Sequence, residues 1–392
     1  MEAHLYMWLE LLVRWTHFIV GIAWIGASFY FNWLENHLQR QDRPEGIAGD
    51  LWAVHGGGFY YLKKFAVAPP ELPPTLHWFK WEAYMTWVSG MAMLIIVFYM
   101  NAKTYMVSPA IAGVTPTLAV GIGVGTLLTS WVVYDLLCRS ALSRREWLLG
   151  LMILAWFVLL SWILSSWLSG RAAFMHVGAA IGTVMVANVF RVIIPAQKDL
   201  VSAVTEARTP EASKGRNALL RSRHNNYFTL PVLFIMLSGH YPAIYGHPQN
   251  WLVLLVFSLA AIGIRHYFNI RHLPGFRVWP LIPAVLLLAG LIYVTAPKPR
   301  VQHPGDPQVV VETSEVFAIV QQRCVKCHAP VPQFEGFTTP PLGVELDTEE
   351  KLEKHAERVY QSVVILRTMP LANLTGLTDS ERDRIASWFE SR

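Results

Sequence analysis

The chemistry in this sequence is most concentrated in residues 324–328, which read Cys-Val-Lys-Cys-His. Two thiols separated by two residues and followed at once by a histidine form the attachment pattern of haem c. The thiols bond to the two vinyl groups of the porphyrin, and the histidine binds the iron from one side. A structural zinc site would need four ligands, but the chain has only one further cysteine, Cys138. We therefore predict covalent haem c at Cys324 and Cys327, with His328 as an iron ligand.

The second axial ligand of this iron should come from later in the chain. Met369 directly precedes Pro370. This arrangement resembles class I cytochromes c, in which a methionine just before a proline supplies the second axial bond and raises the potential. Two alternatives stay open, namely His355 as the ligand and Met369 as an ordinary core residue. We predict that His328 and Met369 together coordinate the iron.

The haem-binding segment lies in a small C-terminal domain, predicted for residues 298–392. Thr378 and Glu381 have the spacing of a capping box, which predicts the start of a last helix. The apolar residues of that helix should pack on the first helix of the domain, with Ile385, Trp388 and Phe389 against Val316, Phe317 and Val320. Covalent haem would supply much of the core of so small a domain.

Residues 1–297 form the other predicted domain, because the long apolar runs are confined to it. Only 15% of the chain is charged, against roughly 25% in soluble domains. Since a membrane-spanning helix needs about 20 mostly apolar residues, we predict an all-α fold, an eight-helix transmembrane bundle followed by the cytochrome domain. The predicted spans are 8–31, 82–101, 115–138, 147–168, 172–194, 226–241, 250–269 and 278–296. Glycines at 121, 123, 125, 178 and 182 should allow close helix packing.

The charges in the loops predict the orientation of this bundle. If successive loops alternate between two sides, one side carries sixteen Lys and Arg residues and the other carries only Lys103 and Arg171. Short basic loops stay in the cytoplasm, so both termini and the cytochrome domain should be periplasmic. The net charge of +5 is spread over several loops rather than gathered on one face, which argues against a nucleic-acid partner.

Ionisable residues in predicted spans are costly and suggest function. Near the periplasmic face, His17, His176 and His240 are candidate ligands of a haem b or another metal, although each could instead be an interfacial residue bonded to backbone. Near the cytoplasmic face, the candidate catalytic residues are His55, His77, His224, His266, Arg191 and Arg265. The glycines at 56–58 predict either a turn in an interfacial loop or a close approach of backbone to a ligand.

Four stretches resemble the bacterial membrane-bound urate oxidases that are fused to cytochrome c. They read Arg-Trp-Thr-His at 14–17, His-Gly-Gly-Gly-Phe-Tyr at 55–60, His-Trp-Phe-Lys-Trp-Glu-Ala-Tyr at 77–84 and His-Asn-Asn-Tyr-Phe-Thr-Leu-Pro at 224–231. The resemblance covers nearly the whole chain. It implies an enzyme of the bacterial inner (cell) membrane that oxidises urate to 5-hydroxyisourate and passes the electrons to its haem c. It also implies membrane lipid and a downstream respiratory electron acceptor as partners.

Two physical points bear on this implied function. Arginine forks suit a planar anion such as urate, and the basic side of the protein is rich in arginine. If urate reacts at that side, however, electrons must cross a hydrocarbon core of about 30 Å, which requires a relay such as haem b. The competing interpretation is a non-catalytic electron-transfer or anchoring subunit of a respiratory complex.

Overall fold

The computed structural model describes residues 2–108, 111–296, 311–334, 337 and 339–392. Of these residues, about 70% are helical and 5% are in strands. The predicted domain boundary at residues 297 and 298 lies outside the described residues, so the division at that point stays a prediction. The parts before and after this gap are described separately.

The N-terminal part consists mainly of long helices packed against one another. They are α1 (Glu2–His37), α2 (Trp81–Met93), α3 (Ala102–Tyr105), α4 (Pro116–Arg139), α5 (Glu146–Trp167), α6 (Gly170–Asn188), α7 (Ile194–Thr205), α8 (Ala212–Ser238), α9 (Pro242–Tyr245), α10 (Asn250–Ile270) and α11 (Leu281–Thr295). A π-helical segment extends α2 at Leu94–Tyr99, and another joins α6 to α7 at Val189–Ile193. A short 3-10 helix, Ala141–Arg144, precedes α5.

A helix covers most or all of each of the eight predicted spans. Among the described residues, six helices are long and apolar enough to cross a membrane: α1, α2 with its extension, α4, α5, α6 with α7, and α10. The remaining two are α11, which is apolar but only 15 residues long, and α8. Helix α8 begins at Ala212, fourteen residues before the predicted span at residue 226. The prediction starts later because the first half of this helix is polar. The count of eight spans therefore stays a prediction.

Helix α6 occupies the centre of this packing and contacts α2, α4, α5 and α8. Its start is fixed by Ser169, whose side chain accepts a hydrogen bond from the backbone N–H of Ala172. The same hydroxyl donates to the carbonyl of Tyr105 at 2.5 Å. A single N-cap residue therefore satisfies one of the free N–H groups at the helix start and ties it to α3.

The predicted close packing at glycines is confirmed at two of the five positions. A Cβ built on Gly123 would lie 2.4 Å from Nε2 of His176, and one on Gly178 would lie 2.6 Å from Ile235. A Cβ on Gly121, Gly125 or Gly182 would have nothing within 4 Å. Gly123 and Gly178 therefore mark the places where α4 and α8 approach α6.

The expectation of an all-α fold is wrong between α1 and α2. Strands β1 (Ile47–His55) and β2 (Gly58–Phe65) form an antiparallel hairpin in which His55 pairs with Gly58. Gly56 and Gly57 both have positive φ, as a two-residue type I′ turn requires. Of the two predictions for the glycines at 56–58, a turn in a loop and a close approach to a ligand, the structure shows the turn. The flanking run of Trp, Val, Phe and Tyr is typical of strands. These strands are too short to stand out as apolar segments of membrane-spanning length.

The C-terminal part is a small helical domain with its own apolar core. Its helices are α12 (Thr313–Arg323), α13 (Val325–His328), α14 (Glu349–Lys354), α15 (Ala356–Val359) and α16 (Asp379–Glu390). A π-helical segment, Tyr360–Ile365, and two 3-10 helices, Pro341–Gly343 and Leu371–Asn373, complete it. The predicted capping box of Thr378 and Glu381 is confirmed. So is the predicted packing of the first and last helices, since their apolar residues share one core cluster.

Candidate functional site

The first candidate site is the cysteine and histidine segment of the C-terminal domain. Cys324 ends α12, and Cys327 lies one helical turn later in α13; both are free thiols. Burial, and then the neighbouring Cys327, raises the pKa of Cys324 to about 12. Redox-active cysteine pairs have a lowered thiol pKa instead. The pair therefore does not fit a thioredoxin-like role.

His328 is oriented as a metal ligand should be. Its Nδ1 lies 2.8 Å from the carbonyl oxygen of Val344. A carbonyl can only accept, so Nδ1 carries the hydrogen and Nε2 keeps its lone pair. Bonding of one ring nitrogen to backbone is how proteins commonly hold a metal-ligating histidine. Nε2 of His328 is thus available to iron.

Met369 borders the same apolar cluster as Cys324, which fits a haem between them. The buried guanidinium of Arg382 holds the methionine segment by donating to the carbonyls of Val363 and Met369. His355, the competing ligand, has its pKa lowered by burial and by the nearby charges of Arg358 and Lys354. Both axial candidates stay open, and the residues present fit haem c.

The second candidate site is a cavity of about 810 Å³ bordered by α5, α6, α8 and α10, here called the α5–α8–α10 cavity. Small-molecule sites in proteins have volumes of about 300–1,000 Å³. Its walls are mostly apolar, and its polar lining residues include Glu146, Arg223, His224, Tyr227 and His266. Two of the six candidate catalytic residues, His224 and His266, are therefore brought to one cavity.

Each of these two histidines is held by a tyrosine. Nδ1 of His224 lies 2.8 Å from the hydroxyl of Tyr134 on α4. Nδ1 of His266 lies 2.7 Å from the hydroxyl of Tyr227 on α8. In both rings the second nitrogen, Nε2, is left for a ligand.

A buried polar network behind His224 is the main feature that sequence reasoning missed. Arg221 is fully buried, and its guanidinium donates to Asp135 at 2.7 Å and to Asn188 at 3.3 Å. Asn188 in turn donates to Tyr134 and Asn225. Arg221 was counted among loop residues because the span was predicted to begin at 226. The four-residue spacing of Asn217, Arg221 and Asn225 on α8 was the available signal, because such residues share one helix face.

Arg265 is buried on the other side of α10. Its Nε donates to Asn226 at 3.0 Å, and its guanidinium lies 4.2 Å from the ring centre of Phe29. Its Nη2 is buried and has no hydrogen-bond partner within the described part of the chain. This candidate lies next to the second site without being one of the cavity's lining residues.

The remaining candidates near the predicted cytoplasmic face do not converge on this cavity. His55 is exposed at the tip of the hairpin. His77 is also exposed and lies 4.0 Å from a carboxylate oxygen of Glu82. Arg191 is exposed in the π-helical segment after α6. The structure gives these three residues no common partner.

The three histidines predicted as ligands of haem b or a metal lie in different surroundings. His17 bonds to Ser89 at 3.0 Å and packs on Gly90 of α2. His176 is buried against Gly123 of α4, and His240 is exposed beyond the end of α8. The cavity beside His17 is about 140 Å³, too small for a cofactor of haem size. A haem b there stays a prediction, and no chemistry is derived from it.

The described residues thus form a mostly helical protein with six helices able to cross a membrane and a short helical C-terminal part that carries a Cys-x-x-Cys-His segment. They contain no group of three or more His, Cys, Asp or Glu arranged to hold a metal ion. The chain belongs to the urate oxidase N-terminal family, whose model matches residues 3–296. This membership indicates a urate-related oxidoreductase. Neither a curated protein nor a solved structure matches the chain.

Proposed function

We propose that this protein is a membrane-bound urate oxidase that passes electrons to a haem c in its own C-terminal domain. Urate and one water give 5-hydroxyisourate, two electrons and two protons. Because a haem iron accepts one electron at a time, each urate should reduce two haems. Molecular oxygen is not consumed in this scheme.

The observation that carries the proposal is the union of two features in one chain. The urate oxidase family match ends at residue 296, and the haem c attachment pattern follows at residues 324–328. An oxidoreductase domain needs an electron acceptor, and the second domain is suited to provide one. His328 supports this, because its hydrogen bond to Val344 leaves Nε2 free for iron.

Haem c supplies a one-electron Fe(III)/Fe(II) couple when it is bound. Cys324 and Cys327 would hold it through two thioether bonds, and His328 would bind its iron. Met369 would be the second protein ligand of the iron, since Arg382 fixes its backbone next to the apolar core. The apolar cluster around these residues would exclude water from one side of the group.

We place both termini and the haem domain in the periplasm of a bacterial inner membrane, because the basic loops lie at the other end of the long helices. Six helices able to cross a membrane support the membrane location. A downstream respiratory acceptor would then reoxidise the haem. Electrons from a urate site at the basic end would still need a relay across the apolar core of about 30 Å.

The test is an anaerobic one on the full-length protein. Adding urate should shift the haem absorbance to that of the reduced form, whereas xanthine should leave it unchanged. Dithionite supplies the fully reduced reference. If dithionite reduces the haem but urate does not, the proposal is wrong, and the chain is better described as a non-catalytic electron-transfer subunit.

A further inference from the structure

The hydrogen-bond network around His224 determines which of its nitrogens carries the hydrogen. Asn225 donates to the carbonyl of Met185 at 2.9 Å, and Arg221, which can only donate, faces the side-chain oxygen of Asn188. These two contacts fix the orientation of both amides. Asn188 must therefore donate to Tyr134, at 2.9 Å.

The same logic extends from Tyr134 to the cavity. Its hydroxyl oxygen accepts from Asn188 and lies 2.8 Å from Nδ1 of His224, and the thiol of Cys138 is its other neighbour. When the hydroxyl hydrogen goes to Nδ1, the hydrogen of the neutral imidazole is on Nε2. In that tautomer His224 offers an N–H donor, rather than a lone pair, to a ligand in the cavity.

His266 has the same arrangement from the neighbouring helix. The hydroxyl of Tyr227 lies 2.7 Å from Nδ1 of His266. When this tyrosine donates to Nδ1, the hydrogen is likewise on Nε2. In that tautomer both histidines, on α8 and α10, line one cavity as hydrogen-bond donors.

The third donor is Arg223, on the same helix as His224. It is about half exposed and forms an ion pair with Glu146 at 3.1 Å. An exposed pair of this kind contributes little energy, so an incoming anion can compete with the carboxylate. The arginine fork adds a bidentate donor to the two imidazole N–H groups.

The rest of the cavity suits a flat ring. Its lining includes the aromatic residues Trp147, Phe157, Phe228 and Trp251. Aromatic faces pack well against planar ligands. A mostly apolar cavity whose few polar residues include several donors favours a planar, oxygen-rich anion over an apolar molecule of the same size.

We propose that the α5–α8–α10 cavity is the urate-binding site, and that His224, His266 and Arg223 bind the urate anion there as hydrogen-bond donors. This inference rests on the proposed function, because urate is the substrate named there. It assigns the site to α5, α8 and α10 and excludes the hairpin tip at His55 and the surface at His77. Tyr134 and Tyr227 act as positioning residues that set the imidazole tautomers.

The first test changes the donors in the full-length holoprotein. His266→Leu should raise the urate KM about tenfold or more, since a hydrogen bond to a charged group is lost. His266→Gln should recover part of this, because the amide keeps an N–H donor. Haem content and the dithionite-reduced spectrum should match the wild type in both variants.

The second test fills the cavity without touching a donor. Gly150 lines the cavity, and a Cβ there would have nothing within 4 Å. Gly150→Leu should therefore fold, narrow the cavity and weaken urate binding. The matched control is Gly121→Leu, an equally open position on α4 that does not line the cavity, and it should keep the wild-type KM.

Direct binding separates this inference from the proposed function. Urate should quench part of the tryptophan fluorescence of the oxidised wild type, because Trp147 and Trp251 line the cavity, and Gly150→Leu should weaken this quenching. Quenching without haem reduction would overturn the electron-transfer proposal and leave the site in place. Haem reduction with a wild-type KM in Gly150→Leu and His266→Leu would overturn the site and leave the function.

Discussion

The two candidate sites are held in place in opposite ways. At the proposed haem c site, Cys324, Cys327 and His328 lie within one short segment, 324–328, and a single backbone carbonyl, that of Val344, orients the histidine. At the α5–α8–α10 cavity, the positioning of His224 depends on side chains from α4, α6 and α8, linked by buried hydrogen bonds. A local site should survive changes elsewhere in the chain, whereas a network site should be sensitive to the packing of every helix that contributes to it.

Removing the two attachment thiols should affect the C-terminal site strongly and leave the N-terminal helices unaffected. Cys324→Ala together with Cys327→Ala should abolish covalent haem completely, as measured by haem staining of a denaturing gel. The N-terminal helices should still fold, giving an unchanged elution volume in detergent. The control is Cys138→Ala, which removes the remaining cysteine, buried in α4, and should leave covalent haem in place. Covalent haem in the double variant would contradict the predicted attachment.

The buried hydrogen-bond network behind His224 should be destabilised most by a change at Arg221, its buried cation. Arg221→Gln leaves Asp135 without its buried partner and Asn188 without a donor, so we expect a loss of about 3–5 kcal/mol in unfolding free energy. Arg139 pairs with the same Asp135 at 2.7 Å, but its side chain is 70% exposed against 0% for Arg221.

Arg139→Gln is therefore the matched control, with an expected loss of about 0–1 kcal/mol. Thermal unfolding in detergent compares the two variants. Equal shifts in the two melting temperatures would show that burial of Arg221 does not stabilise the network.

A change in the packing of α4 against α6 should lower the stability by a smaller amount. Gly123→Ala places a methyl group against the ring of His176, and such overpacking costs about 1–3 kcal/mol. Gly121→Ala, one half-turn away on the same helix, meets nothing within 4 Å and should be neutral or slightly stabilising, since alanine is the better helix former. A Gly123→Ala variant as stable as Gly121→Ala would disprove the close approach of α4 to α6.

The smallest expected effect concerns pH and the haem domain. Burial acts to raise the pKa of Glu381, but hydrogen bonds from Thr378 and Arg323 outweigh it, and the net pKa is lowered. A lowered folded-state pKa gives stability that is present above the unfolded value of about 4.3 and is lost as pH falls through the folded value.

Glu381→Gln should therefore destabilise the haem domain by under about 1 kcal/mol at neutral pH, with no difference from the wild type in strong acid. Soret absorbance during thermal unfolding reports this domain. Arg323→Gln removes the partner of Glu381 at 3.0 Å and should show the same dependence on pH. A difference that grows in acid would have the wrong sign for this account.

The difference between a local site and a site built from several helices also explains which features the sequence could predict. The attachment pattern, the capping box of α16 and the apolar helices are local or periodic signals, and the structure confirms the capping box and the helical character of the spans. The hairpin was overlooked because a window of about 20 residues averages over two short strands. Its Gly-Gly turn between aromatic and branched residues was nevertheless readable.

The membrane site could be predicted only in part. His224 and His266 were selected as ionisable residues near the ends of spans, and the structure places both at one cavity. Arg221 and Tyr134 were not selected, because their importance depends on a contact between α4 and α8 across 87 residues of chain. A single sequence does not encode such a pairing in its local pattern.

An anaerobic titration of the full-length protein with urate tests the central claim most directly. Stepwise additions are made to a known amount of haem c, and the reduced fraction is read from the absorbance. We predict complete reduction at half an equivalent of urate per haem, because each urate gives up two electrons. No absorbance change with excess urate, in protein that dithionite reduces fully, would contradict the account.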